Sequence, residues 1–192
     1  MSSEKNLANF LFEVGTLRRI DRAHKQTLLT EDKSDNISSH TFRVTMIGWF
    51  LAMQENADPY KTAMMCLLHD TPETRSGDQN WVHKKYVQVF EEDIIKDQIA
   101  PLPFAEELSS FFNEYNKRES LEARVAKDAD LIDQILLLKE YAYAGNKEAE
   151  KWLEGGQQEK KLTTDSAKNL VKEIMSTRPS EWWDNVWTAD RK

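Results

Sequence analysis

The sequence predicts an all-α protein. Apolar residues recur at spacings of three and four, alternating β-branched runs and Asn-Gly turns do not appear, and paired capping signals punctuate the chain. The first clear helix is SSHTFRVTMIGWFLAMQEN, with Ser38 or Ser39 as N-cap, His40 on its first turn and an apolar series through Phe42, Ile47, Trp49, Phe50 and Met53. In ADPYKTAMMCLLHD, Asp58 suits an N-cap and Pro59 the first helical position, where its missing N–H is not needed. That helix delivers His69 and Asp70 at its end. Turn formers fill TRSGDQN, a helix is expected over residues 84 to 99, and Pro101 and Pro103 interrupt the pattern before another from about 103 to 116. RESLEARVAKDADLIDQILLLKEYAYAG follows, starting near Ser120 and capped at Gly145. Apolar residues surround most of its circumference, so it is read as central. A short helix around EAEKWLE, a break at Gly155-Gly156, a helix starting near Thr163 to Asp165 and a last one introduced by Pro179 complete the chain. EWWDNVW gathers Trp182, Trp183 and Trp187, read first as packing aromatics and otherwise as an oligomer contact.

The 192 residues suit one domain that buries a core of its own. The single cysteine, Cys66, lies in the apolar run AMMCLLH and reads as a buried hydrophobe. One cysteine makes no intramolecular disulfide, and the opening MSSEKNLANFLFEVG lacks the basic and apolar blocks of a signal peptide, so a cytoplasmic protein is expected. No run reaches the roughly 18 apolar residues of a membrane span. A formal net charge of -7 gives little reason to expect binding of long nucleic acid. A small anion would require local positive charge, from a metal or an arginine.

Chemistry concentrates in LLHDTPETRSGD, residues 67 to 78. The chain has only four histidines, at 24, 40, 69 and 83, and His69-Asp70 sits at a helix end, where neighbours can reach one centre. Imidazole and carboxylate groups in an apolar context are costly to bury unless paired or metal-bound, so a divalent cation is indicated, with His40 as a second nitrogen ligand. A further carboxylate would come from Asp128, Asp130 or Asp133. Spacing leaves that choice open, with wheel geometry leaning to Asp128.

The order His40, then His69-Asp70, then KDADLID resembles the HD-domain metal-dependent phosphohydrolases. Residues 37 to 50, ISSHTFRVTMIGWF, are similar to the first-histidine helix of the branch containing the bacterial and human 5'-deoxynucleotidases, and LLHDTPETRSGD matches its HD-x-x-E-x-x-x-G-D extension. The similarity runs from about residue 9 to 144, leaving about 145 to 192 as additional C-terminal helices on an HD-type bundle. The resemblance implies one metal ion held by His40, His69, Asp70 and, from its A-D-x-L context, Asp130; mixed imidazole and carboxylate ligands suit divalent manganese, cobalt, zinc or iron. Asp128 and Asp133 then fall to the helix face or to support behind the ligands.

The same resemblance implies catalytic or substrate roles for Glu73 and Asp78. It also implies a phosphate-binding arginine, matched best by Arg22 and second by Arg19. The chain departs from the enterobacterial enzymes at Ala23, where they carry a tryptophan near the sugar, and in GDQNWVHKKY, which differs from the commoner GD-x-x-P pattern. Trp81, His83 and Lys84 are candidates for the pocket rim. The expected activity is hydrolysis of a small phosphomonoester, foremost a (deoxy)nucleoside 5'-monophosphate. Alternatives are a phosphodiesterase acting on a cyclic or linear nucleotide, or a noncatalytic nucleotide-binding module. A homodimer is expected, since dimers are common in the resembled branch.

Overall fold

The computed structural model describes residues 2–186, and these are helical, with no β-strand among them beyond a single Asp21–Asn36 bridge. Helix α1, Ser3–Val14, is capped by the Ser2 hydroxyl, which accepts from the Lys5 N–H, and runs into a 3-10 turn, Gly15–Arg19. After the short α2, Lys25–Leu28, come α3, Ile37–Glu55, and α4, Pro59–Leu68. Asp58 caps α4 as expected, accepting from the Tyr60 and Lys61 N–H groups ahead of Pro59. The start of α3 differs: Asn36, not Ser38 or Ser39, is the N-cap, and its side chain accepts from the Ser39 N–H. The chain enters from an extended residue at 36, which places both serines inside the first turn.

The segment beyond His69 breaks more than the periodicity suggests. A single turn, α5 (Glu73–Ser76), is followed by α6, Trp81–Tyr86, and α7, Glu91–Ile99, where one helix over 84 to 99 was expected. Asn80 and His83 form a reciprocal capping box that starts α6 early, and Val87 is extended, as suits the β-branched alternation of VQV. Helix α8, Ala105–Lys117, follows the proline turn. Helix α9, Leu121–Tyr143, begins at Ser120 as expected, whose hydroxyl accepts from the Ala123 N–H. Then come α10, Lys147–Gly155, and α11, Asp165–Ser176, and a 3-10 turn at Glu181–Trp183 replaces the last expected helix.

Helix α9 is the axis of the bundle, about 35 Å long at 1.5 Å per residue, and α3, α4, α8, α10 and α11 all pack on it. Ala123, Ala126 and Ala129 keep its approach close, while Val125, Ile132, Ile135 and Leu138 fill the space around it. Each such branched side chain, fully buried, contributes roughly 1.5–3 kcal/mol. Gly48 of α3 meets Cys66 of α4 so closely that a Cβ there would lie 2.5 Å from the sulfur. A second cluster joins Leu68, Ile95, Ile99, Leu102 and Phe112 between α4, α7 and α8.

Helix α1 has no buried residue and is fastened by polar contacts. Glu13 accepts from Arg75 Nε at 2.7 Å, Thr74 Oγ1 at 3.0 Å and Gln98 Nε2 at 2.8 Å, tying α1 to α5 and α7. On α3 the apolar series divides: Val44, Leu51 and Ala52 face the core, whereas Phe42, Met46, Phe50 and Met53 form an exposed stripe. The expected packing role of the tryptophans is not seen, for Trp182 is 79% and Trp183 48% exposed, and Trp187 lies outside the described residues.

Candidate metal centre

Helices α3, α4 and α9 bring His40, His69, Asp70 and Asp130 to one point. His40 Nε2 lies 3.3 Å from Asp70 Oδ2 and 3.3 Å from Asp130 Oδ1, and His69 Nε2 lies 3.2 Å from Asp70 Oδ2 and 4.0 Å from Asp130 Oδ1. One ligand atom each from His40, His69 and Asp130 lie within 4.8 Å of one another. The other ring nitrogens fix the tautomers. His69 Nδ1–H donates to the Cys66 carbonyl at 2.7 Å, and His40 Nδ1–H donates to Asp133 Oδ2 at 2.6 Å. Asp133 is itself held by Arg43 Nε at 2.5 Å.

This arrangement tests whether the residues suit a metal ion. Both Nε2 atoms are buried with no hydrogen-bond partner and face the carboxylates, so in the Nδ1-protonated tautomer that binds metal each would aim a lone pair at them. Lone pairs and anions crowded so closely repel unless a cation lies among them. The electrostatics agree. Burial and Arg22 oppose charge on His40, yet Asp130, Asp133 and Asp70 together push it well above its ordinary range, so the position calls for positive charge. Two imidazoles and two carboxylates, each ring oriented through its far nitrogen, fit a divalent transition-metal ion.

An HD-domain family model matches residues 14–175. The chain belongs to the HD-domain family. This HD-domain chain is 30% identical over 149 residues to a 5'-deoxynucleotidase from Erwinia tasmaniensis, covering 69% of this chain and 74% of that one. It is 28% identical over 148 residues to the Bos taurus 5'-deoxynucleotidase HDDC2, covering 74% and 71%. Among solved structures, a conserved hypothetical protein from Pyrococcus furiosus superposes with a TM-score of 0.75 at 22% identity, covering 88% of this chain and 99% of the other. A predicted metal-dependent phosphohydrolase from Magnetospirillum magnetotacticum does so with 0.65 at 23%, covering 91% and 94%, and both likenesses speak to the fold. The family and these relatives make the chain an HD-domain phosphohydrolase.

Around the HD centre lies a polar cavity of about 330 Å³, with Arg22, Glu73, Asp78 and Tyr115 in its wall. Arg22 reaches it because residues 20 to 37 fold back on themselves. The Arg22 N–H donates to the Asp35 carbonyl, the Ile37 N–H to the Ile20 carbonyl, and His24 Nε2 meets Asp35 Oδ2 at 2.8 Å. The buried guanidinium sits between Asp70 and Asp78, at 3.5 Å from each, while Arg19 is exposed. Asp78 also accepts from the Ala23 N–H at 2.7 Å, a backbone contact indifferent to the side chain at 23.

Burial, with Asp70 and Asp78 close by, pushes the Glu73 carboxyl up to about 10, so it carries a proton at neutral pH. Burial acts the same way on Asp70, but His69, His40 and Arg22 outweigh it and hold Asp70 below the usual carboxylate range. Asp130 is lowered as well, against burial, chiefly by Lys127, whose ammonium contacts it at 2.6 Å.

Asp128 is not at the centre. It accepts from the Thr163 and Thr164 N–H groups at 3.0 and 2.8 Å and from Thr164 Oγ1 at 2.7 Å, which corrects the wheel preference for it: the Asp128 face of α9 turns to the start of α11. His24 and His83 are engaged elsewhere, with Asp35 and in the α6 capping box. Tyr115, whose ring lies 5.3 Å from that of His69, escaped the sequence reading because one tyrosine on an amphipathic helix gives no signal of its own.

Proposed function

We propose that the chain hydrolyses (deoxy)nucleoside 5'-monophosphates, with one divalent ion, manganese, cobalt, zinc or iron, held by His40, His69, Asp70 and Asp130. The observation that carries this reading is the pair of unpartnered imidazole nitrogens facing two carboxylates beneath a buried arginine. When bound, the cation supplies Lewis acidity and a water that is nucleophilic at neutral pH.

The residues of the chain do the rest. Arg22 offers two N–H groups to phosphate oxygens, its side chain already desolvated and aimed by Asp70 and Asp78. Glu73, protonated in its buried position, is suited to give a proton to the leaving oxygen. Asp78 orients Arg22 and accepts a hydrogen bond from the Ala23 backbone, which brings the 20–28 segment against the cavity. The activity for which the relatives are named, 5'-deoxynucleotidase, supports the substrate class. A diesterase centre with a second metal is disfavoured because His24 and His83 are bonded elsewhere.

A second copy of the chain is proposed to cover the apolar stripe Phe42, Met46, Phe50 and Met53, giving a homodimer. The single cysteine, fully buried, is consistent with a cytoplasmic compartment. No helix of the described residues is long and apolar enough to cross a membrane.

Phosphate release from a panel of deoxy- and ribonucleoside 5'-monophosphates, run with each of the four metals, tests the reading. Release from at least one monophosphate is expected. Silence across the whole panel, from protein shown to be folded, would contradict it.

A further inference from the structure

The cavity lining also carries positive charge that hydrolysis of a monophosphate does not use. Lys84 of α6, Arg118 at the end of α8 and Lys127 of α9 line the same cavity as Arg22 and Glu73. Lys161, closing the 3-10 turn Glu159–Lys161, is not in the cavity lining, but it lies close enough to Lys127, Lys84 and Arg118 to feel their charges, with its ammonium 4.3 Å from the centre of the Trp81 ring. Three separate elements thus send cations to one cavity and a fourth places Lys161 nearby, on a chain whose net charge is -7. Lys127 is paired with Asp130, but among the described residues Lys84, Arg118 and Lys161 have no carboxylate within ion-pair distance. Glu91 also lines the cavity, in addition to the carboxylates already described.

Two further features show that the grouping is costly. Partial burial, with Lys127, Lys84 and Arg118 close by, lowers Lys161 from its ordinary value, so the four charges repel one another across the mouth. Arg118 also adopts a left-handed backbone, φ 57° and ψ 28°, at a helix end where glycine is the usual choice. A strained cap that keeps a guanidinium at the cavity, beside unpaired ammonium groups, makes sense when an anion offsets the repulsion.

We propose that the preferred substrate carries a second phosphate, remote from the one that is cleaved, and that Lys84, Arg118 and Lys161 receive it. The inference rests on the phosphatase reading above and deepens it: the substrate class becomes nucleoside bisphosphates, with phosphates at two positions of the sugar. The reaction is still ester hydrolysis. The water oxygen bonds to phosphorus, the ester P–O bond breaks, the leaving sugar oxygen takes a proton, and the second phosphate stays on the product. Arg22 serves the cleaved phosphate and the rim serves the retained one.

Binding can be read without turnover. Calorimetric titration of the EDTA-treated full-length chain compares deoxyadenosine 5'-monophosphate with deoxyadenosine 3',5'-bisphosphate, for wild type and for a Lys84→Ala/Arg118→Gly double variant. Glycine suits the left-handed cap, so this variant removes charge without adding strain. The wild type is expected to bind the bisphosphate at least tenfold more tightly, and the double variant to cut that ratio at least fivefold. Equal wild-type affinities, or a preference that survives in the variant, would overturn the proposal. If the double variant does not fold, Lys161→Ala, at an exposed position, must lower the same ratio at least twofold or the proposal fails. A binding preference that falls with the variants, in a chain releasing phosphate from neither probe, supports the anion site and removes the phosphatase reading. Monophosphate hydrolysis without any binding preference does the reverse.

Discussion

Asp128 and Asp130 stand two positions apart on α9 and have opposite surroundings. Asp128 anchors the segment entering α11 through four donors of Thr163 and Thr164, whereas Asp130 faces the two imidazoles. Asp128→Ala should therefore cost stability, about 2–4 kcal/mol for a buried acceptor whose removal leaves the Thr163 and Thr164 donors unpaired, and leave metal affinity within a fewfold of wild type. Asp130→Ala should do the reverse, and denaturant unfolding beside metal titration separates the two. Asp133 acts through His40, holding its Nδ1–H so that Nε2 is free. Asp133→Asn should weaken metal binding about 10- to 100-fold, with Asp133→Glu recovering part of it. At this scale the sequence was informative about residue types and silent on directions. KDADLID offers three aspartates, and helical spacing cannot tell which faces a neighbour 35 residues later and which faces one 90 residues earlier. The pairing of His69 with Asp70 was legible because a helix end allows adjacent side chains to converge.

Helix starts were legible where the cap is local and less so where the chain's entry path decides. Asp58-Pro59 and Ser120 cap as their chemistry demands, but Asn36 displaces two serines because its residue is extended, and VQV separates α6 from α7. The crossing of α3 on α4 depends on Gly48. Gly48→Ala should destabilise by about 1–2 kcal/mol, since overpacking exceeds the gain in helix propensity. In a Cys66→Ala background, where the sulfur it strikes is gone, the same change should be neutral or stabilising, and a double-mutant cycle in urea checks this. The anchoring of α1 predicts a pH dependence. The Arg75 hydrogen bonds, aided against burial by Gln98 and Thr74, lower Glu13 to about 2. A folded-state value below the unfolded one contributes stability that is fully present above about pH 4.5 and lost as pH falls toward 2. Between pH 6 and pH 3, wild type should lose more unfolding free energy than Glu13→Gln does.

For the whole molecule, an all-helical bundle with a central α9 follows from periodicity and capping alone, because helix-forming information is local and the axis helix is apolar on nearly every side. The exposed stripe on α3 is the face on which the proposed homodimer rests. Sedimentation of the wild type should give a dimer at micromolar concentration, and Phe50→Glu a monomer; a wild-type monomer would remove that part of the account. Of the cations at the cavity, Lys84 was expected at the rim, whereas Arg118, Lys127 and the nearby Lys161 were hidden because they come from separate elements that meet only after folding. The proposed function depends on one convergence, that of His40, His69, Asp70 and Asp130 on a common cation. The most direct measurement is a calorimetric titration of manganese into the EDTA-treated full-length chain, repeated for alanine substitutions at each of the four positions. The account predicts one ion per chain in the wild type and at least a hundredfold loss of affinity in every variant. A wild type that takes up no divalent ion, or folded variants that bind as it does, would contradict it.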